Sequence, residues 1–100
     1  MVDEQLSRAV VAYLLGGRHV RPGESPEAVV DALGAEAAAE HLAPRLRELA
    51  REAVSWPVDW QGSDEVSAMR VVEREIAGAH PELDAEAVRA LSLYFSFCNR

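Results

Sequence analysis

Apolar residues recur at three- and four-residue intervals through most of this 100-residue chain, and glycine, proline and polar residues punctuate the runs. Leu6, Val10, Tyr13 and Leu14, with Ala9 beside them, form the first stripe. Asp3 stands where an N-cap accepts first-turn amides, Arg8 falls on the water side, and Gly16-Gly17 offers a left-handed exit. Pro22-Gly23 then marks a turn, near which Val20 can hold a short extended piece. Ser25-Pro26-Glu27 reads as a second helix start: a capping residue, a proline with its φ already set, and a carboxylate facing the positive end of the helix dipole. Val29, Val30 and Leu33 supply its inner face, and Gly34 its C-cap.

From Ala35 to Ser55 the period is helical again, carried by Leu42, Leu46, Leu49 and Ala53, but Pro44 lies inside. An interior proline loses an amide donor and crowds the preceding turn at about 3 kcal/mol, which predicts a kink near Glu40 or a break with Pro44 opening a new helix. Arg45, Arg47 and Arg51 mixed with Glu48 and Glu52 read as a solvated outer face. Trp56 to Gly62 is the main irregular link. A helix beginning near Ser63 or Asp64 presents Val66, Met69, Val72 and Ile76 on one side until Gly78 and His80-Pro81 stop it. In the last helix Asp84 is the N-cap, and Leu83 is placed to staple onto Val88. Val88, Leu91, Phe95 and Cys98 form its stripe, with Ser92 and Ser96 as the polar complement. Leu93, Tyr94 and Phe97 widen the apolar surface, so this helix is either central to the bundle or offers an aromatic patch to a partner. These patterns predict an all-α fold: one domain over residues 1–100, a compact bundle of four to six short helices, with room for one minor extended pairing between Val20 and Val58.

Composition narrows the function more than the fold. Seventeen carboxylates against ten arginines give a formal charge of −7 and a pI near 4.8, which disfavours phosphate backbones and anionic membranes as partners and favours a basic protein. Every cation is arginine, and lysine and threonine are absent, the profile of a GC-rich bacterial coding bias. Cys98 stands alone, so no intrachain disulfide forms. The first 17 residues carry acids where a signal peptide wants bases, and no apolar run nears the roughly 20 residues of a membrane span, so a cytoplasmic protein is expected.

Candidate chemistry is sparse. His19, His41, His80 and Cys98 are scattered without the spacing of a metal site, and Gly16-Gly17-Arg18 lacks the strand, glycines and lysine of a phosphate loop. No serine sits in a nucleophile elbow, and carboxylate pairs such as Glu36 with Glu40 and Glu73 with Glu75 read as solvated acids. No catalytic, cofactor or metal residue is therefore assigned, and the chain is not expected to be an enzyme.

Aromatic anchors inside an acidic rim are what a binder of a basic protein uses, with charge steering the encounter and rings supplying affinity. The residues that fit are Trp56, Asp59, Trp60, Asp64 and Glu65 around the central link, and Tyr94 and Phe97 on the last helix. The stretches Val20-Arg21-Pro22-Gly23-Glu24-Ser25 leading into Val29-Val30 and Leu33-Gly34, and His80-Pro81-Glu82-Leu83 leading into Val88, Leu91 and Tyr94, resemble short bacterial immunity-type helical proteins. That resemblance implies occlusion of a partner and assigns no residue. Two other readings accompany it. One is a small regulatory or structural subunit that self-associates, as a homodimer, through Leu91 to Phe97. The other is a DNA-binding regulator using the helix, glycine, helix arrangement of Ser25 to Arg51, whose Arg45, Arg47 and Arg51 are interrupted by Glu48 and Glu52.

Overall fold

The computed structural model describes residues 2–16, 23–34, 36–57 and 64–98, at Glu65 the backbone alone, and these form five α-helices with no strand among them. They are α1 (Glu4–Leu15), α2 (Pro26–Leu33), α3 (Glu36–Val54), α4 (Glu65–Ala79) and α5 (Ala85–Cys98). Val20 and Val58, and with them the expected extended pairing, lie outside the described residues.

The starts of three helices follow from single aspartates. Asp3 accepts from the Leu6 amide at 3.0 Å, Asp64 from Ser67 at 2.7 Å and Asp84 from Ala87 at 2.8 Å, each satisfying a first-turn donor that the helix itself cannot. Ser25 occupies the cap position of α2, but its hydroxyl donates to Glu27 Oε2 at 3.1 Å instead of accepting from an amide. Gly34 ends α2 at φ 68°, its amide returning to Val30 O.

α5 is the hub. It packs on α1, α3 and α4, while α2 leans on α1 and α3. The Asp3 amide donates to Glu82 O at 2.7 Å and the Asp84 amide to Ser7 Oγ at 2.9 Å, so the first turns of α1 and α5 are tied together. At the other end of α1, Gly23 and Ser25 donate to Leu14 O and Tyr13 O and turn α2 back along it. The core gathers Leu6, Val10 and Leu14 of α1, Leu46 and Leu49 of α3, Val72 and Ile76 of α4, and Val88, Leu91 and Phe95 of α5. Leu83 and Val88 are both buried in it, as a staple requires.

Several local expectations are corrected. Gly16 is right-handed at φ −86°, not left-handed. A Cβ there would lie 3.1 Å from the Ala28 methyl and 2.6 Å from Ala12 O, so glycine answers close approach between α1 and α2. α3 does not break at Pro44, and runs unbroken for 19 residues. The proline is exposed, which leaves the orphaned Glu40 carbonyl within reach of water. Burying Leu46 and Leu49 just beyond it contributes roughly 1.5–3 kcal/mol each, enough to offset the interruption. On α4, Val66 is 57% exposed and Ala68 takes its place on the inner stripe with Val72 and Ile76. Gly78 does not stop that helix, which continues to Ala79.

On α5 the two serines are buried instead of facing water. Ser92 satisfies its hydroxyl on Arg89 O at 2.8 Å. With Ala87 and Ala90 the serines keep side chains short where neighbouring helices cross the hub. Cys98, drawn into the stripe by its spacing, is exposed.

Candidate functional site

The residues assigned to a partner surface separate into groups with different duties. Trp56 is half-buried against the core, its indole Nε1 donating across to Glu75 Oε1 at 3.5 Å. Asp64 is exposed and caps α4, the Ser67 amide and then the Ser67 hydroxyl holding its carboxyl below the usual range. Glu65 belongs to α4 by its backbone, and Asp59 and Trp60 lie outside the described residues. Phe97 is half-buried on α5. Tyr94 is packed against the core, and burial first, then Glu24 and Cys98, pushes its phenol up to about 12.

That shift places Tyr94 in a cluster the sequence did not assemble. Tyr13, on α1, donates its hydroxyl to Glu24 Oε1 at 2.8 Å. Burial, and secondarily the Glu24 carboxylate, raises its phenol well above the ordinary range, with the Arg47 guanidinium opposing. The Glu24 carboxylate thus acts on both phenols, Arg47 on that of Tyr13 and Cys98 on that of Tyr94.

Beside this cluster α2 and α3 enclose an apolar cleft of about 200 Å³. Tyr13, Val29, Val30, Ala39, Ala43 and Leu46 form its floor and walls; Pro26, Glu36, Glu40 and Arg47 complete the lining. Along α3 the residues Glu36, Glu40, Ala43 and Arg47 follow one face at four-, three- and four-residue steps, so the lip is acidic over its first turns and cationic at its far end. Glu24, Glu27 and Asp31 add three more exposed carboxylates on the α2 side. From Gly23 to Pro44 the chain has five carboxylates and no arginine, which is five of its seven net negative charges in under a quarter of its length. That unbroken run was the available signal; it was obscured because each acid, taken singly, has the look of a solvated helix face.

A second constellation ties α3 to the turn between α4 and α5. His80, its side chain 11% exposed, faces Glu52 Oε1 with Nε2 at 2.9 Å and Glu82 Oε1 with Nδ1 at 3.3 Å. Arg45 reaches the same Glu82 oxygen at 3.2 Å and Glu48 at 3.5 Å. The Glu82 carboxyl is held low by its own backbone amide, then by His80 and Arg45, against a desolvation that works the other way. Beyond the weak ion pairs expected along this solvated face, of which Arg45 with Glu48 is one, Arg45 and Glu52 also engage partners on the turn between α4 and α5. His80 does sit at the C-terminus of α4, its amide on Ile76 O, yet both ring nitrogens are already occupied by carboxylates. Among the described residues no group of three or more histidine, cysteine or acidic side chains is arranged to hold a metal ion.

Two broader grooves lie elsewhere among the described residues. One, of about 570 Å³, runs between α4 and the start of α5, lined by Arg70, Glu73 and Arg74 over Leu83 and Val88. The other, of about 580 Å³, lies against α1 and is lined by Glu4, Arg8, Asp84 and Glu86. Both, like the lip of the α2/α3 cleft, carry charges of either sign.

No helix among the described residues is long and apolar enough to cross a membrane. The fold defines an all-α five-helix class organised around a central last helix. Comparison with protein-family models, with curated proteins and with solved structures finds no significant match.

Proposed function

We propose that this chain is a cytoplasmic partner-binding protein, acting by occlusion and not by catalysis, and that what it covers is a basic protein, in the manner of immunity proteins and antitoxins. The observation that carries this reading is the acidic run over α2 and the first half of α3, where Glu24, Glu27, Asp31, Glu36 and Glu40 are all exposed without an arginine among them. Charge of one sign concentrated along one exposed stretch of the chain accelerates encounter with an oppositely charged surface and biases its orientation. The aromatic rings of Trp56, Tyr94 and Phe97, half-buried at the surface, are the residue types that anchor such contacts.

The test is co-purification of the tagged chain from its own cells, followed by salt titration of whatever protein is retained. A basic partner released by moderate salt, and lost when Glu27, Asp31, Glu36 and Glu40 are neutralised together, is the expected result. A parallel variant neutralising Asp59, Asp64 and Glu65 reports whether the central link shares the load. An acidic partner, or retention indifferent to salt and to both variants, would overturn the reading. The same preparation decides between the alternatives. Sedimentation as a stable homodimer through Leu91 to Phe97 supports self-association, and duplex binding at low salt supports a DNA regulator.

A further inference from the structure

The cleft between α2 and α3 offers more than negative charge. Its volume of about 200 Å³ exceeds the roughly 150 Å³ of an engineered protein cavity that admits benzene, and falls below the roughly 300 Å³ at which small-molecule and cofactor pockets begin. It suits one large apolar side chain and is small for a cofactor. Val29, Val30, Ala39, Ala43 and Leu46 would surround such a side chain with aliphatic carbon. The lip adds a direction: Glu36 and Glu40 line one end, Arg47 the other, across about 16 Å of α3 at 1.5 Å per residue.

Resting on the reading of this chain as a binder of a basic protein, we propose that the α2/α3 cleft seats a single leucine-sized side chain from an amphipathic helix of that partner. The partner's arginines or lysines lie on the Glu36 and Glu40 side, and a carboxylate faces Arg47. Two features on this surface select that occupant. The apolar interior demands an aliphatic anchor, and the Glu36 and Glu40 carboxylates on the lip demand cations beside it. A helix lying along the groove satisfies both, because residues three and four apart share a face and place anchor and charge one turn from each other.

The experiment uses the full chain and a synthetic helical peptide of about sixteen residues, or ~24 Å of helix. It carries one central leucine, two arginines one and two turns to one side, and a glutamate one turn to the other. Fluorescence anisotropy should show saturable, salt-sensitive binding, weakened about tenfold or more when the peptide leucine becomes alanine. Replacing both of its arginines by glutamine should also weaken it. Ala43→Phe, which fills the cleft, should reduce binding as strongly as the peptide leucine-to-alanine change does, with unfolding monitored by circular dichroism. If that variant does not fold, the methyl resonances of Val29, Val30 and Leu46 in the unaltered protein take its place, and they should shift on adding peptide.

Binding that survives Ala43→Phe and leaves those methyls unmoved, yet falls in Glu36→Gln/Glu40→Gln, overturns the seat while leaving the acidic-surface reading intact. Binding indifferent to salt and to the glutamines overturns both. Failure of every peptide to bind overturns the seat, as does a homodimer dispersed by Ala43→Phe, which would make a second copy the occupant.

Discussion

Helices α5 and α2 are held in place by different means. α5 buries seven of its fourteen residues and touches three other helices, whereas α2 has eight residues and fully buries Val29 alone. α2 is fixed by Pro26 at its start, left-handed Gly34 at its end, and backbone bonds from Gly23 and Ser25 to the last turn of α1, together with Val29, Val30 and Leu33 packed on the core. The contrast shows where this small bundle places rigidity and where it leaves adaptability. The hub packs deeply against its neighbours, and the less deeply buried α2 forms one wall of the apolar cleft.

The strongest way to probe this contrast is to empty the hub. Phe95→Ala should cost about 3–5 kcal/mol, a large share of the 5–15 kcal/mol typical of a whole domain, read as a lowered denaturant midpoint. The matching truncation in α2, Val29→Ala, should cost about 1.5–2 kcal/mol, from the two carbons' worth of burial lost. Amide exchange makes the comparison sharper: α2 should exchange through local opening while α5 exchanges only with global unfolding. Equal protection in the two helices would refute the division. Gly34→Ala, forcing a side chain into the left-handed region, should cost about 1 kcal/mol and loosen α2 without touching α5.

A pH dependence is also expected at the junction of the two regions. The folded state holds the phenol protons of Tyr13 and Tyr94 more tightly than the unfolded chain does. Their stabilisation is therefore complete below pH 10 and is lost as pH rises above 10 into the folded-state titration, which for Tyr94 is centred at about 12. Thermal melts from pH 9 to 12 should show this decline, and Tyr13→Phe should flatten it. An unchanged slope in that variant would remove Tyr13 from the account.

Helix termini were the most legible part of the fold, since Asp3, Asp84 and Gly34 act through neighbours within four residues, where pattern and structure speak about the same atoms. Burial was less legible. Ser92 and Ser96 look polar until three helices surround α5, and Val66 looks apolar until α4 turns Ala68 inward instead. The bonds between His80 and Glu52, and between Tyr13 and Glu24, join residues whose proximity depends on packing angles that no local spacing encodes. The cleft was hidden for a related reason. Ala39, Ala43 and Val30 form a receptacle only when two helices are set side by side.

The amide of Asp84 on the hydroxyl of Ser7 spans 77 positions of the chain, and the helix that Asp84 opens is the one around which the others gather. During synthesis α1, α2 and α3 can therefore pack on one another early, but α4 waits for α5, the helix it packs on most. A nascent polypeptide halted before Leu83 should leave α4 open and protease-sensitive, and its docking should follow abruptly once α5 has cleared the exit tunnel.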